Sequence, residues 1–200
     1  MRKFFLSIVL LLPMVVFASE EPPHCTLESL EKDLDLIRTL EADFVQNNSD
    51  GTVFRGKLFL KRPGKLKFVY KKPENMVIVS DGVSLIYFDP SSHQATYLSL
   101  ENSPASLLLD DHLDFRSHAS LISFHETKTQ INICMQTLKT RHKLTLFIDP
   151  KERILKGWKT KDPQGNEVEI LFSNIKRNPV FCDDGLFVFK KPKRARKHKT

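Results

Sequence analysis

Residues 56–88 read GKLFLKRPGKLKFVYKKPENMVIVSDGVSLIYF, and their period decides the fold. In an extended chain successive side chains point to opposite faces. Leu66, Phe68 and Tyr70 therefore share one face of KLKFVYK, and Lys65, Lys67, Val69 and Lys71 share the other. The string before it alternates likewise, with Leu58 and Leu60 opposite Lys57, Phe59 and Lys61. Residues 60–73 hold six basic side chains among aromatics, a composition that also suits a nucleic-acid platform, where rings stack on bases. The alternation argues against it, because cations and rings are segregated to opposite faces. Arg62 is the exception. If the period of two persists to the turn, its guanidinium lies on the face of Leu58 and Leu60, where it needs acceptors. If Pro63 ends the strand early, Arg62 swings outward. Alternation alone does not choose between these.

Outward from this stretch the same period recurs. LEADFV, ATYLSL, INICM, KLTLFID, ILKGWKTKD and EVEILF read as further short strands. Asp50-Gly51, Pro63-Gly64, Asp81-Gly82, Asp149-Pro150 and the Asp162–Gly165 string supply tight turns between them. One long helix precedes the strands, with Leu27, Leu30, Leu34 and Ile37 at helical spacing and Thr26 as N-cap. SPASLLLDD, at 103–111, reads as a short helical turn. Its Leu107, Leu108 and Leu109 cannot all face one core from a single turn, so part of the turn covers something else, such as the mouth of a curled sheet. The expected fold is mainly β with helices, one large antiparallel sheet curling towards a barrel.

The ends read differently from the body. Arg2 and Lys3 precede an uncharged run from Phe4 to Phe17 and small Ala18, the pattern of a secretory signal peptide over residues 1–18. The run is shorter than the roughly 20 apolar residues of a membrane span. A single domain is expected over 19–190, followed by a basic tail, 191–200. The formal net charge is +7, but Arg2, Lys3 and the seven Lys and Arg of residues 190–200 account for nine positive charges, leaving −2 for 19–189. The basicity belongs to the tail, read as a solvated end that is also able to attract anionic headgroups or an acidic partner. Cys25, Cys134 and Cys182 are odd in number and show no disulfide framework.

Catalytic motifs are absent. There is no G-x-S-x-G, G-x-G-x-x-G, Walker loop or H-E-x-x-H. SLEK at 29–32 matches S-x-x-K only inside the amphipathic helix, and the histidines lack ligand-like spacing. Asp110-Asp111-His112 reads as a solvated loop after the leucine turn. No catalytic residue, metal or cofactor is expected.

Taken in order, Arg62-Pro63, Phe68 and Tyr70, Pro73, Val77 to Val79, Ser80-Asp81-Gly82, Tyr87-Phe88 and Gln94-Ala95-Thr96 resemble the periplasmic outer-membrane lipoprotein carrier (LolA-type) family. LEADFVQ, PASLLL and the closing LFVFKKP extend the resemblance over most of the chain, with 115–145 matching loosely. The resemblance implies an incomplete, strongly curved antiparallel half-barrel with a helical lid over a hydrophobic cavity. It implies that Arg62 is inward and acts as the lid latch, that Leu58, Leu60, Leu66, Phe68 and Tyr70 line the acyl-chain cavity, and that Leu107, Leu108 and Leu109 belong to the lid. It further implies a periplasmic carrier that receives acylated lipoproteins from an inner-membrane ABC transporter and passes them to the outer membrane, through a receptor where one exists. A monomer with no nucleic-acid partner is expected. The rival readings are a related half-barrel that binds or senses another amphiphile, and an exported basic protein that binds nucleic acid or an acidic polymer through its tail.

Overall fold

The computed structural model describes residues 25–191. The expected leader, residues 1–18, and all of the expected tail except Lys191 lie outside the described residues.

Helix α1 (Leu27–Asp35) opens on Thr26, whose side chain accepts the Ser29 backbone N–H while Ser29 reciprocates to the Thr26 backbone. This pairing satisfies two backbone donors that the helix itself cannot. Leu27, Leu30 and Leu34 are buried along one stripe; Ile37 is buried too, but just past the helix end. Strands β1 (Thr39–Asn48), β2 (Val53–Lys61), β3 (Lys65–Tyr70), β4 (Val77–Asp81), β5 (Ser84–Asp89) and β6 (Gln94–Ser99) then follow as hairpins. A crossing segment carries a short 3-10 turn (Leu100–Asn102) and helices α2 (Ser106–Leu109) and α3 (Phe115–His118). It leads to β7 (Ala119–Glu126), β8 (Ile131–Thr137), β9 (Lys143–Ile148), β10 (Leu155–Lys161) and β11 (Glu167–Arg177).

The strands form one antiparallel sheet in the order β6-β5-β4-β3-β2-β1-β11-β10-β9-β8-β7. The first and last strands pair at its centre, and β6 and β7 are its edges. The curvature can be measured from two rings. Phe68 on β3 and Trp158 on β10 lie four strand steps apart, about 19 Å in a flat sheet at ~4.8 Å per step. Their ring centroids are 6.1 Å apart, edge to face. The sheet is therefore rolled, with its apolar face inside.

Register explains which residues that face carries. Ala42, Leu58, Phe68, Ile78 and Tyr87 pair in one row across five strands. Leu146, Trp158 and Ile170 continue the inner face on the other wing. One buried cluster contains Ala42, Leu58, Phe68, Leu146, Trp158 and Ile170 together with the apolar side chains of α1 and α2 and Phe115 of α3, and Ile78 packs against it. The opposite row, Phe59, Lys67, Val79 and Ile86, faces outward. Part of it is covered as well. A second 3-10 turn (Asp184–Phe187) brings Phe187 to near-complete burial against the convex side, in ring contact with Phe181, which in turn meets Phe59. Lys67 donates to the Leu186 carbonyl at 2.9 Å. Alternation had grouped Phe59 with the lysines of a solvated face; the C-terminal segment turns part of that face into a small second core. Strand β7 and helix α3 carry no periodic signal in the sequence, because β7 is exposed on both faces over most of its length.

Candidate functional site

The open side of the rolled sheet is crossed by α1 and by residues 100–118, and Arg62 joins these two pieces to the sheet. Its position is prepared by two turns. Ser80 is fully buried and donates its hydroxyl to the Gly64 carbonyl at 2.7 Å. Asp81 accepts the backbone N–H groups of Val83 and Ser84 and shapes the next turn. Gly64 and Gly82 both have positive φ, and a Cβ on Gly64 would lie 2.6 Å from the Gly82 Cα. No side chain fits between the turns, so the strings Arg62-Pro63-Gly64 and Ser80-Asp81-Gly82 are held as one unit.

From this platform Arg62 points inward, its side chain only 6% exposed. Its Nε donates to the Leu108 carbonyl of α2 at 2.8 Å, and its Nη1 donates to the Leu34 carbonyl of α1 at 2.9 Å. Asp35 Oδ1 lies 3.7 Å from Nη1. Burial draws the guanidinium pKa down to about 10, against the opposing charge of Asp35, so it stays protonated at neutral pH. The adjoining backbone repeats the tie, since the Gly64 N–H donates to the Leu109 carbonyl at 2.8 Å.

Around Arg62 the packing is tight. A void of only about 20 Å³ remains, bordered by Leu34, Ile37, Leu40, Leu60, Leu108 and Leu155, space for about one water molecule. The larger apolar hollow lies at the other end of the roll. It holds about 320 Å³, and its apolar walls include Leu66, Phe68, Ile78, Leu85, Trp158 and Val168. Ser103, His142, Thr160, Asp162 and Asn166 add polar groups, and Pro104 and Ala105 of the crossing segment complete the lining. Of the five residues expected to line a cavity, Leu66 and Phe68 border this hollow and Leu60 borders the small void. Leu58 and Tyr70 are buried beside them in packed core, the Tyr70 hydroxyl donating to Gln46 Oε1 at 2.6 Å. Contrary to the expectation that one turn could not present all three to a single core, Leu107, Leu108 and Leu109 are all buried in the same cluster; Leu108 also borders the void by Arg62, and Leu107 and Leu109 border two other hollows.

Several side chains of this site carried no sequence signal. Trp158 and Ile78 line the hollow through register with distant strands. Glu31, Asp35 and Arg38, which the helical spacing does not single out, contact the crossing segment. Glu31 accepts the Phe115 N–H at 2.8 Å. Asp35 accepts the Leu113 N–H at 3.1 Å and meets His112 Nδ1 at 3.3 Å. Arg38 donates to both the backbone carbonyl and the carboxylate of Asp111. Burial pushes the Asp35 carboxyl up, but those bonds and the nearby Arg62 charge outweigh it and hold the pKa below 3.8. Asp111 and His112, read as part of a solvated loop, thus contact Arg38 just past α1 and Asp35 at its last turn. Ser29 of the SLEK string is a helix cap and accepts from Arg153 at 2.7 Å. The three cysteines are unpaired. Among the described residues no group of three or more His, Cys, Asp or Glu is arranged to hold a metal ion, and no helix is long and apolar enough to cross a membrane.

The family model described as "Outer membrane lipoprotein carrier protein LolA" matches residues 35–190, which includes the rolled sheet, Arg62 and the crossing segment. The chain belongs to the LolA family. Among curated LolA relatives, an outer-membrane lipoprotein carrier protein of Pseudomonas putida (strain GB-1) is 30% identical, the match covering 97% of this chain and 96% of that protein. The carrier of Azotobacter vinelandii (strain DJ / ATCC BAA-1303) is also 30% identical, over 92% and 94% of the two chains. Among solved structures, the LolA superfamily protein NE2245 from Nitrosomonas europaea aligns with a TM-score of 0.45 at 14% identity, covering 82% of this chain and 98% of that one. LolA carriers are periplasmic as a family, and carriage of lipoproteins is the role the family name implies for this chain.

Proposed function

We propose that this protein ferries lipoproteins across the periplasm. It takes their acyl chains as an inner-membrane ABC transporter releases them, holds the chains against the inner face of the sheet, and delivers the cargo to the outer membrane, through a receptor where one exists. The observation that carries this reading is Arg62: a buried guanidinium that bolts two lid elements, α1 and α2, over an apolar interior. Packing alone would close such a lid more simply; a polar bolt makes the closure reversible.

The energetics favour a carrier of this design. A triacylated anchor exposes on the order of 45 methylenes, and at ~0.8 kcal/mol each its free passage through water would cost roughly 36 kcal/mol. The carrier must offer comparable apolar surface and still release it. A hollow of about 320 Å³ is at the lower end of the ~300–1,000 Å³ typical of sites for single small molecules. Three acyl chains exceed it, so loading requires the lid to move and uncover the faces of Leu58, Leu60, Leu66, Phe68 and Tyr70. In this reading Arg62 is the latch and Leu107, Leu108 and Leu109 are the lid's underside. The closed, empty form competes with cargo, and a ligand that binds only the open form sees its affinity reduced by the fraction closed.

The test is mass spectrometry of what copurifies with the protein from the periplasmic fraction of its own bacterium. Intact acylated proteins support the carrier reading. Free phospholipid or glycolipid in their place would make the protein an amphiphile-binding relative, and a preparation free of any lipid would count against both.

A further inference from the structure

Helix α1 is fixed on one side and fastening on the other. On the fixed side, Arg153 in the β9–β10 turn donates Nη2 to Ser29 Oγ at 2.7 Å and Nη1 to Cys25 Sγ at 3.0 Å, and it pairs with Asp33. These contacts, with the short link from Asp35 to β1, tie α1 to the sheet. On the other side, Glu31 and Asp35 stand four residues apart and so share a face. That face meets the crossing segment. Glu31 takes the Phe115 N–H, and Asp35 takes the Leu113 N–H and faces His112. Carboxylates that accept backbone N–H groups make charge-assisted bonds, stronger than neutral ones. Phe115 is the first residue of α3, where the backbone donors of a helix lack partners of their own.

We propose that Glu31 and Asp35 form a second latch, holding residues 108–118 closed against α1 in parallel with Arg62, and that the two latches jointly set the affinity for cargo. This rests on the carrier reading given above. The arrangement divides the labour. Arg62 holds Leu108 from inside the apolar core, so its replacement changes both the lid and the wall of the pocket. Glu31 and Asp35 border none of the hollows described above and act on cargo only by positioning the lid. Asp35 is also the joint between the latches, since its Oδ1 lies near both Arg62 Nη1 and, at 3.9 Å, Arg38 Nη1. Loosening the second latch raises the fraction of open protein, and cargo that selects the open form then binds more tightly and leaves more slowly.

The experiment uses the full protein carrying E31Q and D35N, isosteres that keep shape and lose charge. Two measurements are made: amide hydrogen exchange of the empty protein, and binding and vesicle-transfer of a fluorescent tripalmitoyl-cysteinyl peptide. Exchange should speed up at Leu113 and Phe115 by about tenfold while the β2–β3 hairpin stays protected, and the lipopeptide should bind more tightly and transfer more slowly by up to a similar factor. The single variant E31Q, which weakens only the bond to Phe115 by removing its charge, should shift both readouts in the same direction by less, and it guards against a folding defect in the pair. Wild-type exchange at 113 and 115 in a folded double variant overturns the second latch. Faster exchange with unchanged or weaker lipopeptide binding overturns its control of affinity. If the wild type binds no lipopeptide while exchange responds as expected, the latch stands and the carrier reading falls.

Discussion

Replacing Arg62 by leucine tests the carrier mechanism most directly. The change removes two charge-assisted bonds, to the carbonyls of Leu34 and Leu108, at a site whose side chain is 6% exposed. Such bonds contribute about 1.5–3 kcal/mol each. The Leu34 carbonyl keeps the Ile37 N–H at 3.1 Å, so the low end of the range applies. The closed form then loses about 3 kcal/mol, a factor on the order of 100 in the balance between closed and open. The leucine also extends the apolar wall formed by Leu34, Ile37, Leu40, Leu60, Leu108 and Leu155, which a bound acyl chain can use. Both effects favour the loaded carrier. Fluorescent triacylated lipopeptide, preloaded on the protein and offered to acceptor vesicles, should be retained by Arg62→Leu on the order of 100-fold longer than by the wild type. Arg62→Lys should fall between them, because a single ammonium cannot span two carbonyls as the planar fork does. Release from Arg62→Leu within about twofold of wild type would refute the latch, and with it the idea that polar bonds rather than packing govern closure.

Trp158 is the only tryptophan in the chain and lines the 320 Å³ hollow, so lipopeptides with brominated acyl chains should quench its fluorescence; unchanged emission at saturation would place the chains elsewhere. The bonds to the Asp35 carboxylate depress its pKa, so they stabilise the closed form fully above pH 3.8 and progressively less as pH falls through the depressed value. Asp35→Asn should flatten that acid limb in amide exchange at Leu113, and an unaltered limb would assign it to another group. Removing residues 191–200 should leave the melting temperature and dye binding unchanged, whereas Phe187→Ala should cost about 3–5 kcal/mol in denaturant unfolding, since that ring is 1% exposed in the convex-side cluster. A large loss on truncation, or a negligible one from Phe187→Ala, would contradict this division between tail and body.

Much of the architecture was legible in one dimension because it depends on local rules. Alternation through KLKFVYK and its neighbours gave the strand faces, and the Asp-Gly and Pro-Gly turns gave the hairpins. Thr26 marked the start of α1. These signals survive without tertiary information because a pleated strand shows its period wherever one face is buried and the other solvated. Where that contrast is missing the signal vanishes: β7 is exposed on both faces, and the convex face under Phe187 is covered, so neither reads as it packs.

Arg62 marks the boundary between the two kinds of information. Alternation left it facing either way, because the period of two fails at a turn. Its direction was decided by acceptors that lie 28 and 46 residues away along the chain, the carbonyls of Leu34 and Leu108. Glu31 and Asp35 are the stronger case. On an amphipathic helix an acid at either position is indistinguishable from a solvated one, and what gives them a role is that the rolled sheet carries Leu113 and Phe115 back across α1. Sequence by itself determined the strands other than β7, the turns and the apolar face, since each is a short-range contest between burial and solvation. Only the tertiary structure decided how tightly that face rolls, which polar groups close it and where space remains, since those depend on backbone atoms brought together from distant parts of the chain.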